Sequence, residues 1–83
     1  MYQVRLLNQS KKDLKRIDKR FLTKIYYSIG ELSKNLFLGE KMLGKYQGFC
    51  RIKIPPIRIV YKIDHINKII WVHAIGQRQA IYN

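Results

Sequence analysis

In the stretch CRIKIPPIRIVYKI, residues 50–63, cations recur at Arg51, Lys53, Arg58 and Lys62 between isoleucines. Side chains of an extended chain alternate sides. Arg51, Lys53, Arg58, Val60 and Lys62 therefore share one face, and Ile52, Ile54, Ile57, Ile59, Tyr61 and Ile63 take the other. Cations in such a row suit phosphate binding, because the planar guanidinium of arginine makes two parallel hydrogen bonds to an oxyanion and keeps its charge. The solvent face of an antiparallel sheet looks the same, and spacing alone does not separate the two readings. Arginine is the rarer cation, six copies against 11 lysines, and Arg51, Arg58 and Arg78 all fall in this C-terminal region. Their placement is thus more informative than the number of lysines.

Seventeen Lys and Arg against five Asp and Glu give a formal net charge of +12, which attracts polyanions and destabilises the compact state by self-repulsion. Part of the excess is compositional, since 11 Lys and 13 Ile stand beside two Ala. Other chemistry is sparse. A lone Cys50 cannot form an internal disulfide and reads as a small buried apolar residue. His65 sits in a turn and His73 in an apolar run, so both read as structural. Tyr26, Tyr27, Tyr46 and Trp71 read as core or core-margin aromatics. There is no Gly-rich phosphate loop and no metal-ligand spacing, so no cofactor is expected. No apolar run approaches the roughly 20 residues that span a bilayer, and MYQVRLLNQS lacks a signal-peptide cleavage pattern. The expectation is one cytoplasmic domain over residues 1–83 with no membrane contact.

The elements that must carry these cations follow from periodicity. Residues 2–7, YQVRLL, suit a first strand with Val4 and Leu6 on one face. Ser10 is a plausible N-cap for a helix to about Arg20, with Leu14, Ile17 and Phe21 as its apolar stripe. A second helix over about Thr23–Asn35 carries Leu22, Ile25, Tyr26, Ile29, Leu32 and Leu36 at helical spacing. The short link implies a helix hairpin that needs a third apolar surface. That surface comes from strands at Gly48–Ile54, Ile57–Ile63 and Lys68–Ile75, which form an antiparallel meander. Pro55-Pro56 marks the first turn and Asp64–Asn67 the second. The apolar run IIWVHAI fits an interior strand. The predicted fold class is α+β, in the order βααβββ, with the helix hairpin on one face of a small, mainly antiparallel sheet and the basic residues on the other.

From CRIKIPPIRIVYKI through AIGQRQAIYN the chain resembles the RelE/ParE superfamily of bacterial and archaeal toxins. The resemblance rests on Arg51-Ile52-Lys53, then Arg58-Ile59-Val60-Tyr61, then an apolar strand, then Gly76-Gln77-Arg78 with Tyr82. Upstream, the strand, the helix pair and the lead-in MLGKYQGF agree with the superfamily layout. The chain departs from the pattern where Arg51 stands in place of a common lysine, where Pro55-Pro56 shortens the loop, and where Gln77 replaces a frequent His or Lys.

The resemblance implies the toxin of a type II toxin-antitoxin system. It favours the RelE branch, which cleaves messenger RNA on the ribosome, over the ParE branch, which poisons DNA gyrase, or a non-catalytic nucleic-acid-binding member. It implies catalytic roles for Lys53, Arg58, Arg78 and Tyr82, and RNA contacts for Arg51, Lys53 and Lys62. In metal-free cleavage the neighbouring 2'-OH is the nucleophile, so the site must take its proton, hold the phosphate in line and protonate the leaving oxygen. Arg58 and Arg78 are the candidates for the phosphate clamp, Lys53 for the general base, and Tyr82 for stacking or proton transfer. Which of them moves protons is not legible in the sequence. The implied partners are the ribosome, messenger RNA and a short acidic antitoxin protein, with the free toxin a monomer.

Overall fold

The computed structural model describes residues 1–77, so two candidate site residues, Arg78 and Tyr82, lie outside the described residues. The chain begins with strand β1 (Gln3–Leu6), followed by helices α1 (Asn8–Arg16) and α2 (Leu22–Leu32). Strands β2 (Glu40–Lys41), β3 (Cys50–Ile54), β4 (Ile57–Asp64) and β5 (Ile69–Gln77) complete it. The sheet order is β1-β5-β4-β3-β2. The predicted meander is present as β3, β4 and β5, all antiparallel. The sheet gains two edges: β1 pairs in parallel with β5, and the two-residue β2 pairs antiparallel with β3.

Three expectations about the helices need correction. Ser10 is not an N-cap. It lies inside α1, fully buried, with its hydroxyl oxygen 2.7 Å from the Leu7 carbonyl and 3.0 Å from the Val72 carbonyl, so that its single proton is shared between the two acceptors. A hydroxyl whose proton lies between two backbone oxygens is satisfied in a core, where an apolar residue of the same size would leave both acceptors without it. The first helix also stops at Arg16 rather than near Arg20: Ile17 is extended, and a 3-10 turn over Lys19–Phe21 follows, capped by Asp18, which accepts from the Arg20 amide at 2.9 Å. Ile17 and Phe21 still reach the core from this connection, so the apolar stripe holds although the helix does not. Finally, α2 ends at Leu32, and Tyr26 and Tyr27 on it are exposed (56% and 69%) rather than part of the core.

Both helices cover one face of the sheet. Ile25 and Leu32 of α2 pack with Ile52, Ile57, Ile59, Tyr61, Ile70, Val72 and Ile75, while α1 lies against β5. Fully burying one such isoleucine stabilises by about 1.5–3 kcal/mol, which is what fixes strand register against a one-residue slip. The spacing Ile70, Val72, Ile75 breaks the period of two. The ladder explains it: Val60 faces Ala74 and Tyr61 faces Val72, so His73 is an extra residue in a β-bulge. The bulge turns Ile75 back into the core, while Trp71, between the buried Ile70 and Val72, takes the opposite face, outside the core cluster, which corrects the core-margin reading of that tryptophan.

Candidate nucleic-acid interface

On the helix-free face, strand pairing brings the predicted cations together. Arg51 and Lys53 stand on β3, and Arg58 on β4 is the direct cross-strand partner of Lys53. Like charges placed opposite each other across a ladder destabilise it, so this pairing is costly for a face that only meets solvent and useful for one that receives an anion. On its other side Arg58 faces Gly76 of β5. Among the described residues nothing lies within 4 Å of the point where a Cβ on Gly76 would stand. Lys62, also predicted to contact RNA, is four residues further along β4, about 13 Å away at the strand rise of 3.3 Å, and does not join the cluster.

A carboxylate that sequence reasoning missed completes it. Glu40 of β2 pairs across the ladder with Arg51, and its Oε2 lies 3.6 Å from Arg51 Nη2 and 3.7 Å from Lys53 Nζ. Among the described residues it is the acid that ion-pairs with the cations of this face. Two residues give no periodic signal, so β2 cannot be read from the sequence, and Glu40 there is a loop acid in a glycine-rich connection. What fixes it in place is Gly39. The Gly39 amide donates to the hydroxyl of the fully buried Tyr61 at 3.1 Å, and a Cβ on Gly39 would collide with that hydroxyl and come within 2.6 Å of the Arg51 carbonyl oxygen. Only glycine lets the chain approach the sheet this closely and still set the next side chain against Arg51. An open cleft of ≈ 560 Å³ borders Glu40 and Arg51 and is also lined by Lys41, Lys45 and Tyr46, with Lys45 Nζ 5.4 Å from the Tyr46 ring centre.

The bulge residue His73 contributes to the same face. Its ring meets Phe49 edge-on with centroids 4.9 Å apart, and Lys62 Nζ lies 5.4 Å from the Phe49 ring centre. Burial holds the imidazole pKa below its ordinary 6.5, and the Lys62 charge lowers it further. A half-buried, preferentially neutral imidazole is consistent with the structural role expected for His73. His65, by contrast, sits at the β4–β5 turn, where its Nδ1 is 3.0 Å from the Tyr2 hydroxyl. Cys50 is half-buried at the core margin and forms no disulfide. The end of β5 that leads toward Arg78 is anchored from α1, where Asp13 Oδ2 accepts from the Ile75 amide at 2.9 Å.

Comparison with known families brings a match over residues 4–82 to the ParE toxin of the type II toxin-antitoxin system parDE. The chain belongs to the ParE toxin family. Solved structures share its fold at low identity. The toxin-antitoxin complex RelBE2 from Mycobacterium tuberculosis matches at TM-score 0.82 and 23% identity, over 93% of this chain and 98% of that one. YafQ from E. coli strain BL21(DE3) matches at TM-score 0.81 and 18% identity, with both chains covered in full. The isolated E. coli RelE toxin matches at TM-score 0.81 and 15% identity, over 93% of this chain and 84% of that one. Comparison with curated protein sequences gives no match. The chain is thus a toxin-family member with the RelE-like α+β fold expected from its sequence, its two helices packed on a mixed sheet of five strands where the sequence predicts four. Among the described residues no helix is long and apolar enough to cross a membrane.

Proposed function

We propose that this ParE-family toxin acts as an endoribonuclease on messenger RNA held in the ribosome, in the cytoplasm, and that residues 1–83 form the single domain that does so. The observation that carries the reading is the Glu40 carboxylate held between Arg51 and Lys53, with Arg58 directly opposite Lys53 across the ladder. Glu40 takes the proton of the 2'-OH, because a carboxylate only accepts hydrogen bonds and an ammonium only donates them. This moves the general base from Lys53, the sequence-based candidate, to Glu40. The freed 2'-oxygen attacks the adjacent phosphorus, a 2',3'-cyclic phosphate forms, and the bond to the 5'-oxygen breaks. Arg51 and Arg58 hold the phosphoryl oxygens as charge builds on them, and Lys53 donates the proton that the leaving 5'-oxygen needs. Arg78, as a further clamp, and Tyr82, as a stacking or proton-transfer group, belong to the same proposal from the sequence alone.

The +12 chain has few acids of its own to cover this face. A short acidic antitoxin would neutralise it efficiently, with the toxin monomeric when free. The family match itself favours one rival, a toxin that inhibits DNA gyrase by protein contact. Incubating the purified protein with ribosomes programmed by a reporter messenger RNA, and mapping breaks by primer extension, separates the two. Cleavage at the ribosomal position supports the endonuclease; intact RNA alongside gyrase inhibition supports the rival.

A further inference from the structure

Strand register lays a second row across the basic face. Arg5 of β1 pairs with Trp71 of β5, and Trp71 pairs with Lys62 of β4. Lys62 in turn stands over Phe49, at the entry to β3. All four lie on the helix-free side, since Val4, Leu6, Ile70, Val72, Ile63 and Cys50, their alternating neighbours, pack on the core. The row therefore reads cation, ring, cation, ring across β1, β5 and β4 to the residue that enters β3. Arg5 Cζ is 6.0 Å from the Trp71 ring centre and Lys62 Nζ is 5.4 Å from that of Phe49. Arg5 and Lys62 are exposed, while the two rings are half-buried and so held at fixed height, Phe49 by its edge-on contact with His73. Beside Trp71 an open cleft of ≈ 500 Å³ is lined by Lys62, Ile63, Asp64, His65 and Ile66.

Fixed aromatic surface interleaved with mobile cations is the chemistry of single-stranded nucleic-acid binding. Bases stack on the rings without regard to sequence, and phosphates are drawn to the charges. We infer that the Arg5–Trp71–Lys62–Phe49 row is an RNA subsite that receives an unpaired base on Trp71 and its flanking phosphates on Arg5 and Lys62. It lies about 13 Å along the sheet from Arg58, so it grips the strand at a distance from the bond that is cut. The inference rests on the endonuclease reading for the identity of the strand.

Trp71 is the single tryptophan of the chain, so its fluorescence reports on this row alone. Titrating the intact protein with a short unstructured RNA oligonucleotide should quench that emission saturably. Trp71→Leu should weaken binding about 10-fold, within the range for losing one stacked base, whereas Trp71→Phe should keep most of it. Arg5→Gln with Lys62→Gln, both at exposed positions, should weaken binding and the quench together. Binding that leaves the emission unchanged, or equal binding by wild type and Trp71→Leu at equal folded content, would overturn the subsite. Stronger quenching by an acidic peptide than by RNA would overturn it too and assign the row to a protein partner. Ribosomal cleavage by the wild type is scored separately, so its failure would remove the endonuclease reading and leave the RNA-binding result standing.

Discussion

Glu40→Gln separates a catalytic carboxylate from a structural counter-ion. Glu40 sits 3.6 Å from Arg51 and 3.7 Å from Lys53, with its own side chain 60% exposed and theirs 27% and 43%. Ion pairs this open and this long are worth about 0.2–1 kcal/mol each, and screening puts these two at the lower end. The variant keeps the size and hydrogen-bonding capacity of the side chain, so the folded state should lose about 1 kcal/mol or less. That corresponds to a fall in Tm of about 4–8 °C or smaller for a chain of this length. RNA binding should hold or tighten, because one negative charge leaves a basic face. Cleavage should nevertheless drop by about 10²-fold to 10⁴-fold, the contribution of a positioned general base. The assay pairs thermal unfolding with single-turnover cleavage of a reporter messenger RNA on purified ribosomes. Wild-type cleavage by a Glu40→Gln variant of lowered stability would refute the reasoning and make Glu40 a counter-ion that holds Arg51 and Lys53 in place.

Three further outcomes follow from the same structure. Gly39→Ala should destabilise by about 1–3 kcal/mol, since the added Cβ meets a fully buried tyrosine and a strand carbonyl that cannot move aside; denaturant unfolding checks it, and a neutral result would show that the β2 segment is free to shift. His73 is depressed below 6.5 in the fold, so its stabilising contribution is complete above 6.5 and is lost as pH falls through the lower folded value. His73→Phe should flatten unfolding midpoints from pH 6.5 downward, before the lowered carboxylates of Asp18 and Asp64 take over below 3.8; an unchanged slope would contradict the burial argument. Log affinity for single-stranded RNA should fall with log salt at a slope of about −3.5 if Arg5, Arg51, Lys53, Arg58 and Lys62 each neutralise a phosphate, and a flat dependence would point to an apolar protein partner.

The part of the fold legible in the sequence is the part with a strong period. The alternation in IKI and IRIVYKI is enough to name both faces of β3 and β4, and the helical spacing of Ile25, Ile29 and Leu32 names the buried side of α2. What escapes has no period to read. β2 is two residues long and gains its identity only by pairing with β3, so Glu40 is invisible in the sequence as a site residue. β1 reads as a strand, but its parallel place beside β5 is a tertiary fact that no local pattern carries. Ser10 carries the sequence mark of a helix cap, yet the partner that decides its position is Val72, 62 residues away. Trp71 lies in a run apolar on both faces, and only the burial of Ile70 and Val72 on either side of it shows which face it takes. Of the cations marked by the alternation, Arg51, Lys53 and Arg58 are brought together, whereas Lys62 stands apart in a different row.

The central claim is that the cation cluster holds a reacting phosphate, and Arg58 tests it most directly. Messenger RNA on purified ribosomes is exposed to equal amounts of folded wild type, Arg58→Ala, Arg58→Lys and Lys15→Ala, the last an exposed cation on α1, and breaks are mapped by primer extension. If Arg58 clamps the phosphate, Arg58→Ala should cut at least about 10²-fold more slowly, the scale for losing one preorganised charge donor. Arg58→Lys should fail substantially as well, because the ammonium keeps the charge and loses the planar fork. Lys15→Ala should cut like wild type. Wild-type cleavage by Arg58→Ala would contradict the account and return the alternating cations to an ordinary solvated face.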